Sequence, residues 1–245
     1  MNAVRLIVRA TLLEAVRRKD AWVLVILMSV FAVVAVGTRV SDRLTPAVGT
    51  FMLNLGFSLS VIFAHVLTVL LASRQFPDEI ENRTLYPLLA RPLSRSRLLL
   101  GKCLSCTLAG CFCLCAFLLL TWIVTPATES MSPLMAVQAF LLMPFSLLWA
   151  SALSLAVSLL MPRASALSLS LGVVLLGERL FQLVQKVPAA PHLLPRFGLL
   201  NLVTRLTDGI SPLPFPQFAG LMLYGGLWAV LSFALARRML LGRSL

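Results

Sequence analysis

Charge is scarce in this sequence. Only 12% of its residues are Asp, Glu, Lys or Arg, and only 9 are acidic. Soluble domains carry about a quarter charged residues, so polar surface this thin excludes a globular chain surrounded by water. Histidine is nearly absent, with His65 and His192 alone. With so few acid–base groups, no nucleophile, base and orienting residue can be assembled. The 5 cysteines all fall between positions 103 and 115. An odd number crowded into one apolar run excludes a disulfide framework. A phosphate-binding loop is missing too: Gly101-Lys102 matches the end of G-x-x-x-x-G-K-[ST], but position 96 is Ser and position 103 is Cys. The chain is therefore expected to bind no ATP itself, and no set of ligands has metal-site spacing.

What is abundant is apolar length. Of the 245 residues, 59% are hydrophobic, and runs of about twenty such residues are what a helix needs to cross roughly 30 Å of hydrocarbon. The runs predict an all-α integral membrane protein, a single domain over residues 1–245 with six transmembrane helices. These are placed at about 21–38, 50–73, 103–125, 135–160, 164–184 and 218–236. The net charge of +12 follows this topology and needs no nucleic acid. With the amino terminus inside, fifteen of the 21 basic residues fall in cytoplasmic segments, five fall outside, and Arg179 lies within a span. Both termini are expected in the cytoplasm, the protein in the inner (cytoplasmic) membrane, and anionic lipid headgroups at the basic side.

One long polar passage, residues 74–102, interrupts the oil between spans two and three. Pro77 followed by Asp78, with Glu81 three residues on, predicts a helix start of the capping-box kind. Asp78, Glu79 and Glu81 suit the positive end of its dipole. Pro87 stops it, and Arg91, Arg95, Arg97 and Lys102 form a basic arm into span three.

The string E-I-E-N-R-T-L-Y-P-L-L-A-R-P-L-S-R-S-R-L-L-L-G-K resembles the cytoplasmic loop of ABC-2 type permeases, the membrane subunits of one class of ATP-binding-cassette exporters. Family members often carry Gly where Arg83 stands. The resemblance implies a coupling helix that docks on a separate ATPase subunit, which holds the ATP and Mg. Asp78, Glu79, Ile80, Glu81, Arg83, Thr84, Leu85 and Tyr86 would form the docking turn. Arg91, Pro92, Ser94, Arg95, Gly101 and Lys102 would connect it to span three. It also implies an interfacial helix within residues 1–20, a second permease copy (homodimer or sister permease), and short extracytoplasmic helices before span six. Residues 193–206, set among prolines, read as that last feature.

Several polar residues lie within the spans. His65 is either a pathway residue or a neutral imidazole hydrogen-bonded to a neighbouring helix. Glu178 and Arg179 either line the mouth of a path or form a structural pair near the outer interface. The cysteines of span three do not share one helical face, because Cys106 and Cys113 lie about 20° apart while Cys111 and Cys115 lie far round. They read as packing residues. Pro144 should bend span four, and Ser146, Ala150, Ser151, Ala152 and Ser154 after it should let another helix approach closely. His192 reads as a surface residue. Residues 1–37 also admit a secretory-signal reading, although acids in the leading region argue against it.

The function expected is a non-enzymatic permease subunit whose partner ATPase drives export of a substrate the sequence does not specify. The alternative is a non-transporting scaffold or assembly factor recruiting a cytosolic protein through residues 74–102. A lipid-modifying membrane enzyme would have only His65, Glu178 and Arg179 to use.

Overall fold

A computed structural model describes residues 3–17, 20–40, 46–81, 94–124, 133–184, 196–207 and 210–242. All the regular structure among them is helical. The described helices are α1 (Ala3–Arg17), α2 (Asp20–Val40), α3 (Pro46–Glu81), α4 (Arg95–Val124), α5 (Pro133–Leu160), α6 (Arg163–Val184), α7 (Val203–Thr207) and α8 (Phe215–Gly242), with a 3-10 turn at Phe197–Leu200.

Among the described residues, four helices are long and apolar enough to cross a membrane: α3, α4, α5 and α8. The other two expected spans appear as α2 and α6, whose described apolar stretches, Val25–Gly37 and Arg163–Gly177, are shorter. The helices run past the expected spans. α3 begins before position 50 and runs past 73, α4 begins at Arg95 rather than Cys103, and α8 extends at both ends of 218–236. Polar residues at these ends remain helical because a helix already nucleated over an apolar run adds residues at little cost.

α5 is the centre of the bundle and packs against α3, α4, α6 and α8. Its small residues explain the position. Ser146, Ala150, Ser151, Ala152 and Ser154 are all buried, so neighbouring backbones come close where lipid supplies no hydrophobic drive. Their hydroxyls are satisfied across or along the helices. Thr107 on α4 meets Ser151 at 2.9 Å and Cys103 meets it at 3.2 Å, while Ser154 donates to the Ala150 carbonyl at 2.7 Å. Cys103, Cys106 and Cys113 turn into this core, whereas Cys115 is exposed. Around the outside, α2 shows Trp22, Ile26, Val30 and Val33 to the surroundings, as a helix facing hydrocarbon does.

At the end of the bundle away from Glu81 and Arg95, the expected helical piece over 193–206 is broken. The 3-10 turn stops at Asn201, whose side-chain oxygen accepts from the Val203 backbone N–H at 3.1 Å before α7 begins. Such a side chain competes with the helical ladder for that donor. Trp149 of α5, fully buried, holds the turn by stacking on Phe197 with centroids 3.6 Å apart and planes at 8°. Trp228 and Tyr224 of α8 pack on the same indole, and the Arg196 N–H donates to the Tyr224 hydroxyl at 2.9 Å. His192 lies outside the described residues.

Gln138 of α5 closes this end. Its amide donates to the Leu213 carbonyl at 2.8 Å and accepts from the Leu213 N–H at 2.9 Å, pairing the strap before α8 as another peptide would. Gln138→Leu keeps the volume and strands both backbone groups, at a cost of about 2 kcal/mol. Faster amide exchange at Leu213, with exchange at α3 unchanged, is the expected reading; unchanged exchange at Leu213 would show that the strap is held elsewhere.

Candidate functional site

The described parts of the polar passage, residues 74–81 and 94–102, lie at one end of the bundle, here called the basic end, where α3 finishes and α4 begins. The proline–aspartate start predicted at position 78 is not a start. α3 runs through Pro77 without interruption to Glu81, so Asp78 has no free turn of N–H groups to cap. Pro77 removes one ladder hydrogen bond, but inward packing of Phe76, 0% exposed, and of Ile80 on either side keeps the helix on course.

Lys102 lies at the centre of this end. Its ammonium is almost wholly buried, at 2% exposure, and pairs with the Glu79 carboxylate. It also donates to the Gln75 carbonyl at 3.3 Å and sits 4.5 Å from the centroid of the Phe76 ring. Gln75 and Glu79 are one turn apart, so a single face of α3 supplies these contacts. An ammonium taken out of water is tolerated only with such pairing.

The preceding residue has a separate task. A Cβ added to Gly101 would lie 2.9 Å from Ile7 Cγ2, so glycine there lets α1 press onto α4. Further struts complete the end. Asp78 faces Arg163, the first residue of α6, at 3.8 Å. Arg95 reaches the Leu240 carbonyl of α8 at 3.0 Å, where a cation suits the negative helix terminus. The Ser94 carbonyl accepts from the N–H groups of Arg97 and Leu98 to open α4.

The predicted docking residues therefore divide. Asp78, Glu79, Ile80, Arg95, Gly101 and Lys102 bind the bundle to itself, while Glu81 and Ser94 are exposed. Arg83, Thr84, Leu85, Tyr86, Arg91 and Pro92 lie outside the described residues.

A second polar locus lies within the bundle. A cavity of about 420 Å³ is bounded by Val61, Ile62 and His65 of α3, Ser146 of α5, Val174 and Leu175 of α6, and the 3-10 turn with Asn201. His65 Nδ1 lies 2.8 Å from the Val61 carbonyl and Nε2 lies 2.8 Å from the Ser146 hydroxyl. A carbonyl only accepts, so Nδ1 carries the proton, and a neutral ring then takes the Ser146 O–H at Nε2. The hydrogen bond to a neighbouring helix is thus present, and the same pair also forms the polar wall of a cavity. Glu178 and Arg179 belong to the last turns of α6, but their side chains lie outside the described residues.

The sequence reading missed three of these partnerships. Arg163 had no expected partner, yet it answers Asp78. Ser146 was only a small residue, yet it holds His65. Trp149, Phe197, Tyr224 and Trp228 went unremarked; the four-residue spacing of Tyr224 and Trp228 on one helix face was the signal available.

Among proteins of known family, a model described as ABC-2 family transporter protein matches residues 15–176. This range takes in Asp78, Glu79, Arg95, Lys102 and Arg163 of the basic end and the α3, α5 and α6 residues of the cavity. No curated protein matches the chain.

Proposed function

We propose, from the premise that the chain belongs to the ABC-2 family of transporter proteins, that it is the permease subunit of an ATP-binding-cassette exporter. It is a multi-pass membrane protein whose basic end would face the cytoplasm, with six helices crossing and α1 lying along the interface. A separate ATPase subunit would bind ATP and Mg, and a second permease copy would complete the transporter. The family loop starting after Glu81 would be the contact with the ATPase.

One observation supports this reading above the others. The helix that leads into the loop is braced on two neighbours at once: α3 to α4 through Glu79 and Lys102, and α3 to α6 through Asp78 and Arg163, with Ile80 packed on the core between them. A push on residues 82–93 would therefore reach several spans as one body. Coupling needs such a body, because a two-state membrane element responds only to a force that the contact transmits without yielding. The cavity beside His65 and Ser146 is the part of the described bundle best suited to a polar station on a path, since it combines a hydrogen-bonded pair with apolar walls.

The docking test follows from the division of residues. Glu79 is unsuitable, because its loss would disturb the fold. Glu81→Lys changes an exposed residue, and Arg83→Glu reverses the next charge along the family loop. Affinity purification of the tagged chain from native membranes in mild detergent should recover a Walker-motif ATPase, and this double variant should reduce the recovery about tenfold, the effect of 1.4 kcal/mol at an interface. Recovery of the ATPase at full yield would move the contact elsewhere. If no ATPase accompanies the folded wild-type chain, the scaffold reading replaces the permease.

A further inference from the structure

On the flank of the bundle, where α4 and α8 pass each other over α5, there is a cleft of about 240 Å³. Leu100 and Leu104 of α4 form one rim, and Val230 and Phe233 of α8 form the other. The cleft exists because of what lies beneath it. Ala152 and Ala229 are 1% and 3% exposed, but their side chains end at Cβ and do not fill the space between the larger rims. Water in such a place has no polar partners to hold it. Leu100, Leu104 and Val230 are exposed at the rim, so the cleft opens to whatever surrounds the helices.

The two rims are in register with two charges. The Arg95 contact with the Leu240 carbonyl sets the relative height of these antiparallel helices at the basic end. Leu104 comes seven residues after Arg97, and Val230 seven before Arg237. Seven residues are about 10 Å along a helix and about 20° short of two full turns. Each rim thus has an arginine almost directly in line with it on the basic side. Arg97 and Arg237 are exposed, and neither belongs to an ion pair within the described residues.

We infer that this cleft is a binding site for an anionic phospholipid of the leaflet at the basic end. One acyl chain lies over Ala152 and Ala229 between the leucine rim and the valine–phenylalanine rim. The phosphate sits at the level of Arg97 and Arg237, where guanidinium forks match its oxygens. Basic positions at the membrane face of a cleft between helices suit such headgroups, and here the cleft below them has room for the chain. The inference rests on the membrane reading of the basic end but not on ATPase docking, so the two can fail separately.

The test uses the full chain purified in mild detergent and titrated with phosphatidylglycerol or with phosphatidylcholine of identical acyl chains, the retained lipid being counted by native mass spectrometry. Wild-type protein should retain phosphatidylglycerol preferentially. Arg97→Gln with Arg237→Gln should lower that preference about thirtyfold, since each basic residue at such a surface contributes roughly a factor of five. Both substitutions are at exposed positions, so the fold is expected to survive. Arg5→Gln with Arg9→Gln removes the same charge from exposed positions on α1 and should leave the preference within about twofold of wild type. Ala229→Leu, which fills the cleft and keeps the arginines, should reduce retention of both lipids. Equal loss in the α1 control would reduce the effect to general surface charge and overturn the site. So would an absence of preference in the wild type, or displacement of lipid by a second copy of the chain.

Discussion

Replacing Glu79 by alanine is expected to destabilise the folded chain by about 3 kcal/mol, toward the low end of what breaking a buried ion pair costs. The size follows from which partner is left behind. Lys102 is 2% exposed and Glu79 is 23% exposed, so losing the carboxylate strands an ammonium that water cannot reach. The Gln75 carbonyl and the Phe76 ring remain, and they offset only part of the loss. Losing the lysine instead leaves a carboxylate that is already partly hydrated, so Lys102→Met should cost less. The double variant Glu79→Leu with Lys102→Met should lie within about 1 kcal/mol of wild type, because apolar side chains in place of a buried pair are often neutral or better. The measurement is the fraction of protein that stays monodisperse in detergent across a heating series. If Glu79→Ala withstands heat as well as wild type, the pair does not brace α3 against α4. The double variant also separates bracing from docking: it restores the contact between helices without charge, so an ATPase that binds residues 82–93 should still bind it.

The largest expected effect is that of a long side chain at Gly110, where α4 lies against Ala64 and Thr68 of α3. A Cβ there would run into the Thr68 hydroxyl and lie 3.3 Å from the Ala64 carbonyl. Thr68 is fully buried, and its hydroxyl is committed to that carbonyl at 2.8 Å, so it cannot simply turn away. Gly110→Ala should cost about 2 kcal/mol as overpacking. Gly110→Leu has no room without separating the helices and should leave little folded protein. The pair Gly110→Ala with Thr68→Ala should regain most of the loss, because it deletes the obstructing atoms. Monodisperse yield and heat resistance read out all three. An unaffected Gly110→Leu would mean that the crossing is looser than this packing implies. Gly56 makes the matching approach further along, where an added Cβ would lie 2.8 Å from Thr121 Oγ1 of α4, so the α3–α4 seam is closed by a glycine from each helix.

How far the sequence could be read is clearest where two signals competed. The Pro77, Asp78 and Glu81 pattern is a sound local sign of a helix start. It lost to Phe76 and Ile80, which pack inward on the two sides of the proline and make continuation of α3 the better use of the same residues. Asp78 and Glu79, read as a charged face for a partner, pair with Arg163 and Lys102 of their own chain. The small residues of α5 were legible, since Ser, Ala and Ser in succession on a membrane-length helix have few other uses. Their hydrogen-bond partners were not: which of several hydroxyls would meet His65 depends on the angle and height at which two helices cross.

The sequence by itself determined the solvent, the class and the asymmetry of this protein. Apolar length, few acids and basic residues gathered around residues 74–102 are sums over neighbouring positions, and neighbours suffice to choose helices and lipid. Tertiary structure alone decided the partnerships: Lys102 with Glu79, His65 with Ser146 across 81 positions, Trp149 with Phe197, and the alanine-floored cleft between α4 and α8. Each of these is a distance between helices, and the packing of the whole bundle sets that distance.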